Sequence, residues 1–183
     1  MTAKVSPPKF AAKLLRPAQA DRAAPWAYVV LPKEVSDTLP RRGRTTVACT
    51  LNGHGFRATL EPDGQLSHWL RLDAELLAAA GAAIGEVVTF AIQPLAQEPD
   101  PEVPADLDAA LAACPEARAV WDGTTAIARL DWIHWITSAR QGATRAKRIG
   151  SACDQLAAGK RRVCCFDPSG YYSKAFSAPT PAD

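Results

Sequence analysis

Apolar and polar positions alternate along the first half of the chain. FAAKLL (10–15) and WAYVVLP (26–32) are apolar runs bounded by turn residues. RTTVACTLNG (44–53) places Thr46, Ala48 and Thr50 on one side and Val47, Cys49 and Leu51 on the other, the period of a half-buried strand. Asn52-Gly53 predicts a tight turn, and FRATLEPDG (56–64) its antiparallel return, closed by Pro62-Asp63-Gly64. HWLRLD (68–73) alternates again. Asp73 is expected to cap a short helix, AELLAAAG, that Gly81 stops, and EVVTFAIQPL (86–95) is a last strand ended by Pro94. Short strands in this number, with one small helix, predict a closed β-barrel, because closure leaves no exposed edges.

AQEPDPEVP (96–104) interrupts the pattern with prolines and acids and reads as a stiff linker. The period then becomes helical. Pro104 precedes ADLDAALAAC, Pro115 opens EARAVWDG, Thr124 or Thr125 can cap AIARLDWIHWITSARQ, and Thr144 can cap RAKRIGSACDQLAAG, stopped by Gly159. The tail is aromatic and then rich in small residues and proline, and its end (174–183) is expected to be mobile. The fold class is therefore α+β. A β-barrel over 8–95 and a linker at 96–103 lead into a helical module of three to four helices over 104–160, then a tail at 161–183.

The chain has 183 residues, 48% of them apolar and 22% charged, which suits one domain or two small ones and excludes a disordered chain. No apolar stretch is long enough to predict a membrane span. The N-terminus lacks an uninterrupted apolar region and a clean cleavage site, so a cytoplasmic location is expected. The 5 cysteines are irregularly spaced, without C-x-x-C, and fit reduced thiols. Adjacent Cys164 and Cys165 would form a strained disulfide, so two thiols suit them better than a redox pair. Net charge is +2. Its distribution is more informative. Between Glu98 and Asp131, eight acids face only Arg118 and Arg129, whereas Arg140 to Arg162 holds seven basic residues and Asp154. Such blocks either pair internally or leave a basic surface.

Several of these segments resemble a bacterial family. PWAYVVLPKEV, then RGRTTVACTLNGHGFRATLEPDGQLSHWLRL, then a short helix and GEVV, look like a small domain of unknown function. VPADLDAALAACPEARAVWDGTT and WIHWITSARQGATRAKRIGSACDQLAAG are similar to the YdeI/OmpD-associated, or bacteriocin-protection, domain. The resemblance covers about residues 8–165 and implies a double-split β-barrel for the first half, a fold type also seen in dimeric DNA-binding regulators. It implies a role in protection against antimicrobial or toxic compounds. Family members often carry Glu-Thr-Arg at the start of the last helix, where this chain has Ala143-Thr144-Arg145.

With Thr144 as the N-cap, Arg145 and Arg148 would lie in the first turn against the positive end of the helix dipole, an arrangement an anion would repair. The competing reading pairs Arg145 with an acid such as Asp106 or Asp131. Trp132 and Trp135 could wall an apolar groove or simply pack in a core. Arg57 and His68, in the most recognisable barrel motif, are a second candidate ligand site. Arg41, Arg42 and Arg44 form a basic loop that could touch nucleic-acid phosphates or remain solvated. No P-loop, G-x-G-x-x-G, G-x-S-x-G or H-E-x-x-H occurs, and the histidines lack metal-ligand spacing, so no catalytic residue, metal ligand or cofactor is assigned. The expected function is non-catalytic binding of an anionic or amphipathic small molecule. A nucleic-acid-binding regulator and an enzyme of unrecognised type remain the alternatives, and oligomerisation is left open.

Overall fold

Six antiparallel strands realise the alternation of the first half: β1 (Lys9–Lys13), β2 (Ala27–Val30), β3 (Thr45–Leu51), β4 (His54–Pro62), β5 (His68–Leu72) and β6 (Val87–Pro94). In this computed structural model, residues 7–19, 25–163 and 176–182 are described. They form two units, one of residues 7–97 with 176–182 and the other of residues 98–163. The strand order is β1-β6-β3-β4-β5-β2. Beyond β1 the chain continues to Leu15, whose N–H and C=O exchange 2.9 Å hydrogen bonds with Tyr28 on β2, so the two ends of the sheet meet and the barrel is nearly closed.

Register follows from side-chain period and turn chemistry. Asn52 and Gly53 both have positive φ, 49° and 87°, which matches the twist of a two-residue hairpin turn and sets Leu51 opposite His54. Val47, Cys49 and Leu51 consequently point inward with Leu60, Leu70, Leu72, Phe90 and Ile92. α2 (Ala74–Ala79) begins as expected, with the Asp73 carboxylate accepting from Leu76 N–H at 2.8 Å. Gly81, at φ 60°, follows its C-cap. One element departs from expectation: Lys33–Ser36 form a single helical turn, α1, where the apolar run ends. Four residues without a side-chain cap leave no periodic signal.

The second unit is α3 (Ala105–Ala112), α4 (Pro115–Asp122), α5 (Ala126–Thr137) and α6 (Gly142–Ala157). Thr125 caps α5, accepting from Ala128 N–H at 3.2 Å. α6 packs on α3, α4 and α5 through buried Ile149, Ala152 and Leu156. Its start differs from the sequence reading. Gln141 is the N-cap, and Thr144 lies inside the first turn. Thr144 has the better intrinsic capping chemistry, but the helix gains another turn, and with it the contact of Arg145 with α3 described below.

Residues 176–182 rest on the barrel unit, where Pro17 and Pro181 form an isolated antiparallel bridge. Cys164 and Cys165 lie outside the described residues.

The inward register predicts unequal costs for two truncations. Leu51→Ala should lower the unfolding free energy by about 2–5 kcal/mol, because Leu51 is fully buried. Val87→Ala, at an exposed position, should stay within about 0.5 kcal/mol. Urea denaturation of both variants checks this, and similar costs would mean the strands are shifted by one residue.

Candidate functional site

In the barrel, His68 and Arg57 are not brought together. Arg57 is exposed on β4, whereas His68 on β5 is 0% exposed. His68 Nδ1 lies 2.7 Å from Ser36 Oγ and Nε2 lies 3.0 Å from the Gly43 carbonyl. A carbonyl can only accept, so Nε2 carries the proton and Nδ1 accepts from the Ser36 hydroxyl. Both ring nitrogens are satisfied in the neutral form. Burial pushes the His68 pKa below its ordinary 6.5, helped by the charge of Arg42 and opposed by the Gly43 hydrogen bond and Asp63. This histidine ties α1 and the Gly43 loop to β5.

The basic loop is drawn into the same fabric. Arg44 is 5% exposed and its Nη2 lies 3.5 Å from Glu61 Oε2. Arg42 Nη1 donates to the Leu66 carbonyl at 2.7 Å and lies 2.7 Å from Asp37 Oδ1. Arg41 is half-buried. Arg42 and Arg44 thus hold loops of their own barrel.

In the helical unit, acidic and basic blocks meet. Arg145, in the first turn of α6, forms a forked pair with Asp106 in the first turn of α3, Nε to Oδ2 at 2.6 Å and Nη2 to Oδ1 at 2.9 Å. The guanidinium holds the Asp106 carboxyl at about 2, well below its ordinary 3.8. Arg118 pairs with Asp108 at 2.8 Å, and Arg129 with Asp100 at 2.9 Å. The cation at the N-terminus of α6 is therefore matched by a protein carboxylate. Thr144 is half-buried beside it and makes no cap.

Arg148 serves the other end of a helix. Its Nη1 donates to the Trp135 carbonyl and to Ser138 Oγ at 3.1 Å, satisfying the C-terminal turn of α5 where a cation is favourable. Its Cζ lies 5.5 Å from the centroid of the Trp135 ring. Trp135 meets Trp132 edge to face at 6.0 Å. Trp132 is 0% exposed and Trp135 8%. Neither indole N–H has a hydrogen-bond partner among the described residues. Leaving a buried donor unpaired costs about 1–3 kcal/mol, so two on adjacent rings are unusual. The arrangement is an aromatic corner with two indole donors and a neighbouring guanidinium. The sequence reading missed Ser138 and Ser36, whose roles depend on tertiary neighbours.

Comparison with known protein families finds a match in each half. Residues 100–159 match the family described as Bacteriocin-protection, YdeI or OmpD-Associated. Residues 10–92 match a domain of unknown function, DUF1905. No curated protein matches the chain.

Two acid-side transitions follow. Between pH 6.5 and the depressed value of folded His68, the unfolded chain takes a proton that the barrel refuses, so stability falls as pH falls. Urea midpoints at about pH 7.5 and 5 should show the loss, and His68→Asn should remove most of the pH dependence. For Asp106 the stabilising contribution is complete above 3.8 and disappears as pH falls toward 2, because the folded state holds the carboxylate longer. The pair is partly exposed, so Asp106→Asn should cost about 1 kcal/mol or less at neutral pH and flatten that acid limb.

Proposed function

From the match of residues 100–159 to the YdeI/OmpD-associated family, behind a domain of unknown function at 10–92, we propose that the chain protects its cell by binding an amphipathic anionic small molecule at the Trp132–Trp135 corner. The observation that carries this reading is the pair of buried indole N–H groups without acceptors. A carboxylate or similar head would accept from both, its apolar body would lie against the rings, and Arg148 beside Trp135 would add favourable charge. The enclosed position of the corner means that the ligand enters as surrounding packing opens. Arg145 is not part of this site, since its guanidinium faces Asp106. The family description supports protection as the role. The odd number of cysteines supports action in the cytoplasm.

The reading is tested with dodecanoate and its uncharged counterpart dodecanol as probes, binding being followed by intrinsic fluorescence and by thermal shift. Dodecanoate should bind the wild-type chain and dodecanol should bind more weakly. Trp132→Phe with Trp135→Phe keeps two aromatic rings and removes both donors. It should weaken dodecanoate by at least about tenfold, the worth of one charge-assisted hydrogen bond. Equal binding by wild type and the double variant, or none by either, would sink the proposal.

A further inference from the structure

The barrel unit holds a segment that lies beyond both family matches, which end at residues 92 and 159. We propose that residues 176–182 are a clasp of that unit: they fasten its free edge at Arg16–Ala18 to the 62–67 turn, and they open as one piece, ahead of the strands.

One fastening is made of backbone. Ala18 N–H donates to the Thr180 carbonyl at 2.8 Å, and Ala182 N–H donates to the Arg16 carbonyl at 2.7 Å. Pro17 stands opposite Pro181 between these bonds. In an antiparallel ladder such an intervening pair exchanges no hydrogen bonds, so neither proline leaves a partner unsatisfied. Each proline also restricts φ before the segment seats, which lowers the entropy lost in seating it.

The other fastening is a close approach to a turn that is held by its own bonds. The Asp63 carboxylate accepts from Gln65 N–H and from Ser67 N–H, both at 2.8 Å. Arg42 Nη1 donates to the Leu66 carbonyl at 2.7 Å and so supports a leucine at φ 69°, a strained position for that residue. Gly64, at φ 76°, is the seat. A Cβ placed on it would stand 2.0 Å from the Phe176 carbonyl oxygen. The segment passes where any other residue would carry a side chain. The Phe176 ring lies over the Arg44 guanidinium, with Cζ 5.7 Å from its centroid.

Between its two ends the segment is not packed down. A cavity of about 330 Å³ lies between residues 177–180 and Trp26, and another of about 300 Å³ lies between Phe176 and Leu66. Atoms facing such gaps forfeit contact energy. None of residues 176–182 is buried. Few buried apolar contacts and backbone bonds at the surface are the marks of a piece that opens at less cost than global unfolding. Opening uncovers Trp26 and the Arg16–Ala18 edge, and leaves the six strands and their shared core in place. The chain reaches this edge only after passing through the helical unit, so that unit is an insertion between the barrel and its clasp.

Amide hydrogen exchange tests the clasp. In the full chain Ala18 and Ala182 should show equal protection, at least about tenfold below that of Val47 and Cys49 in β3. In a chain ending at Ala175, protection of β3 should fall at least about fivefold, the worth of one hydrogen bond. Ala152 in α6 should stay within about twofold, because the clasp touches only the barrel unit. Gly64→Asn suits the turn, but its Cβ dislodges Phe176. It should lower β3 protection at least about fivefold in the full chain and about twofold or less in the shortened one. If the shortened chain fails to fold, the full-length measurements at Ala18, Ala182 and β3, with and without Gly64→Asn, carry the test. Ala18 and Ala182 as protected as β3, β3 indifferent to loss of the segment, or equal effects of Gly64→Asn in both chains would overturn the proposal.

Discussion

Two hydrogen bonds between Leu15 and Tyr28 hold the barrel unit to its shape. Each contributes about 1 kcal/mol by ordinary accounting. Their larger consequence is topological. Without them β1 and β2 would be open edges of a six-stranded sheet, and water would reach Leu14, Val29 and Leu31 along the seam. With them the inward side chains of all six strands share one core. Closure also directs the chain outward after Leu15, which turns Arg16–Ala18 into the free edge on which the C-terminal segment rests.

The two units manage polarity differently. In the barrel, buried polar groups such as His68, Ser36 and Arg44 form bonds that staple loops to strands. In the helical unit, charges at helix ends are matched with opposite charges or with carbonyls. Asp106 faces Arg145, and Arg148 sits on the last turn of α5. Against that background the indole donors of Trp132 and Trp135 stand apart.

The strands were legible because each buries one face. Alternation in Val47–Leu51 and the Asn52-Gly53 turn allow one register only. Asp73 was legible as a cap, and Thr125 as one of two candidates beside Thr124, because capping chemistry acts within three residues. The start of α6 was not. Thr144 is the better cap by intrinsic preference, yet the bond between Arg145 and an aspartate 39 residues away goes with the longer helix. Asp106 could be named as one of two candidate partners, but the choice needed the packing of α3 on α6. The placement of residues 176–182 was not legible for a related reason. Proline-rich composition argues against internal structure, while pairing at Pro181 depends on which side of a ladder that residue occupies. The bond from Ser36 to His68 was not legible, because Ser36 lies on a helical turn too short to announce itself.

The proline bridge has a further consequence for how the sheet ends. Pro181 directs its backbone away from Arg16–Ala18, toward the side where another strand would add, and it has no N–H to offer there. A neighbouring molecule that tried to extend the ladder edge to edge would meet a missing donor at that register. An edge that ends on such a residue is a poor template for a further strand.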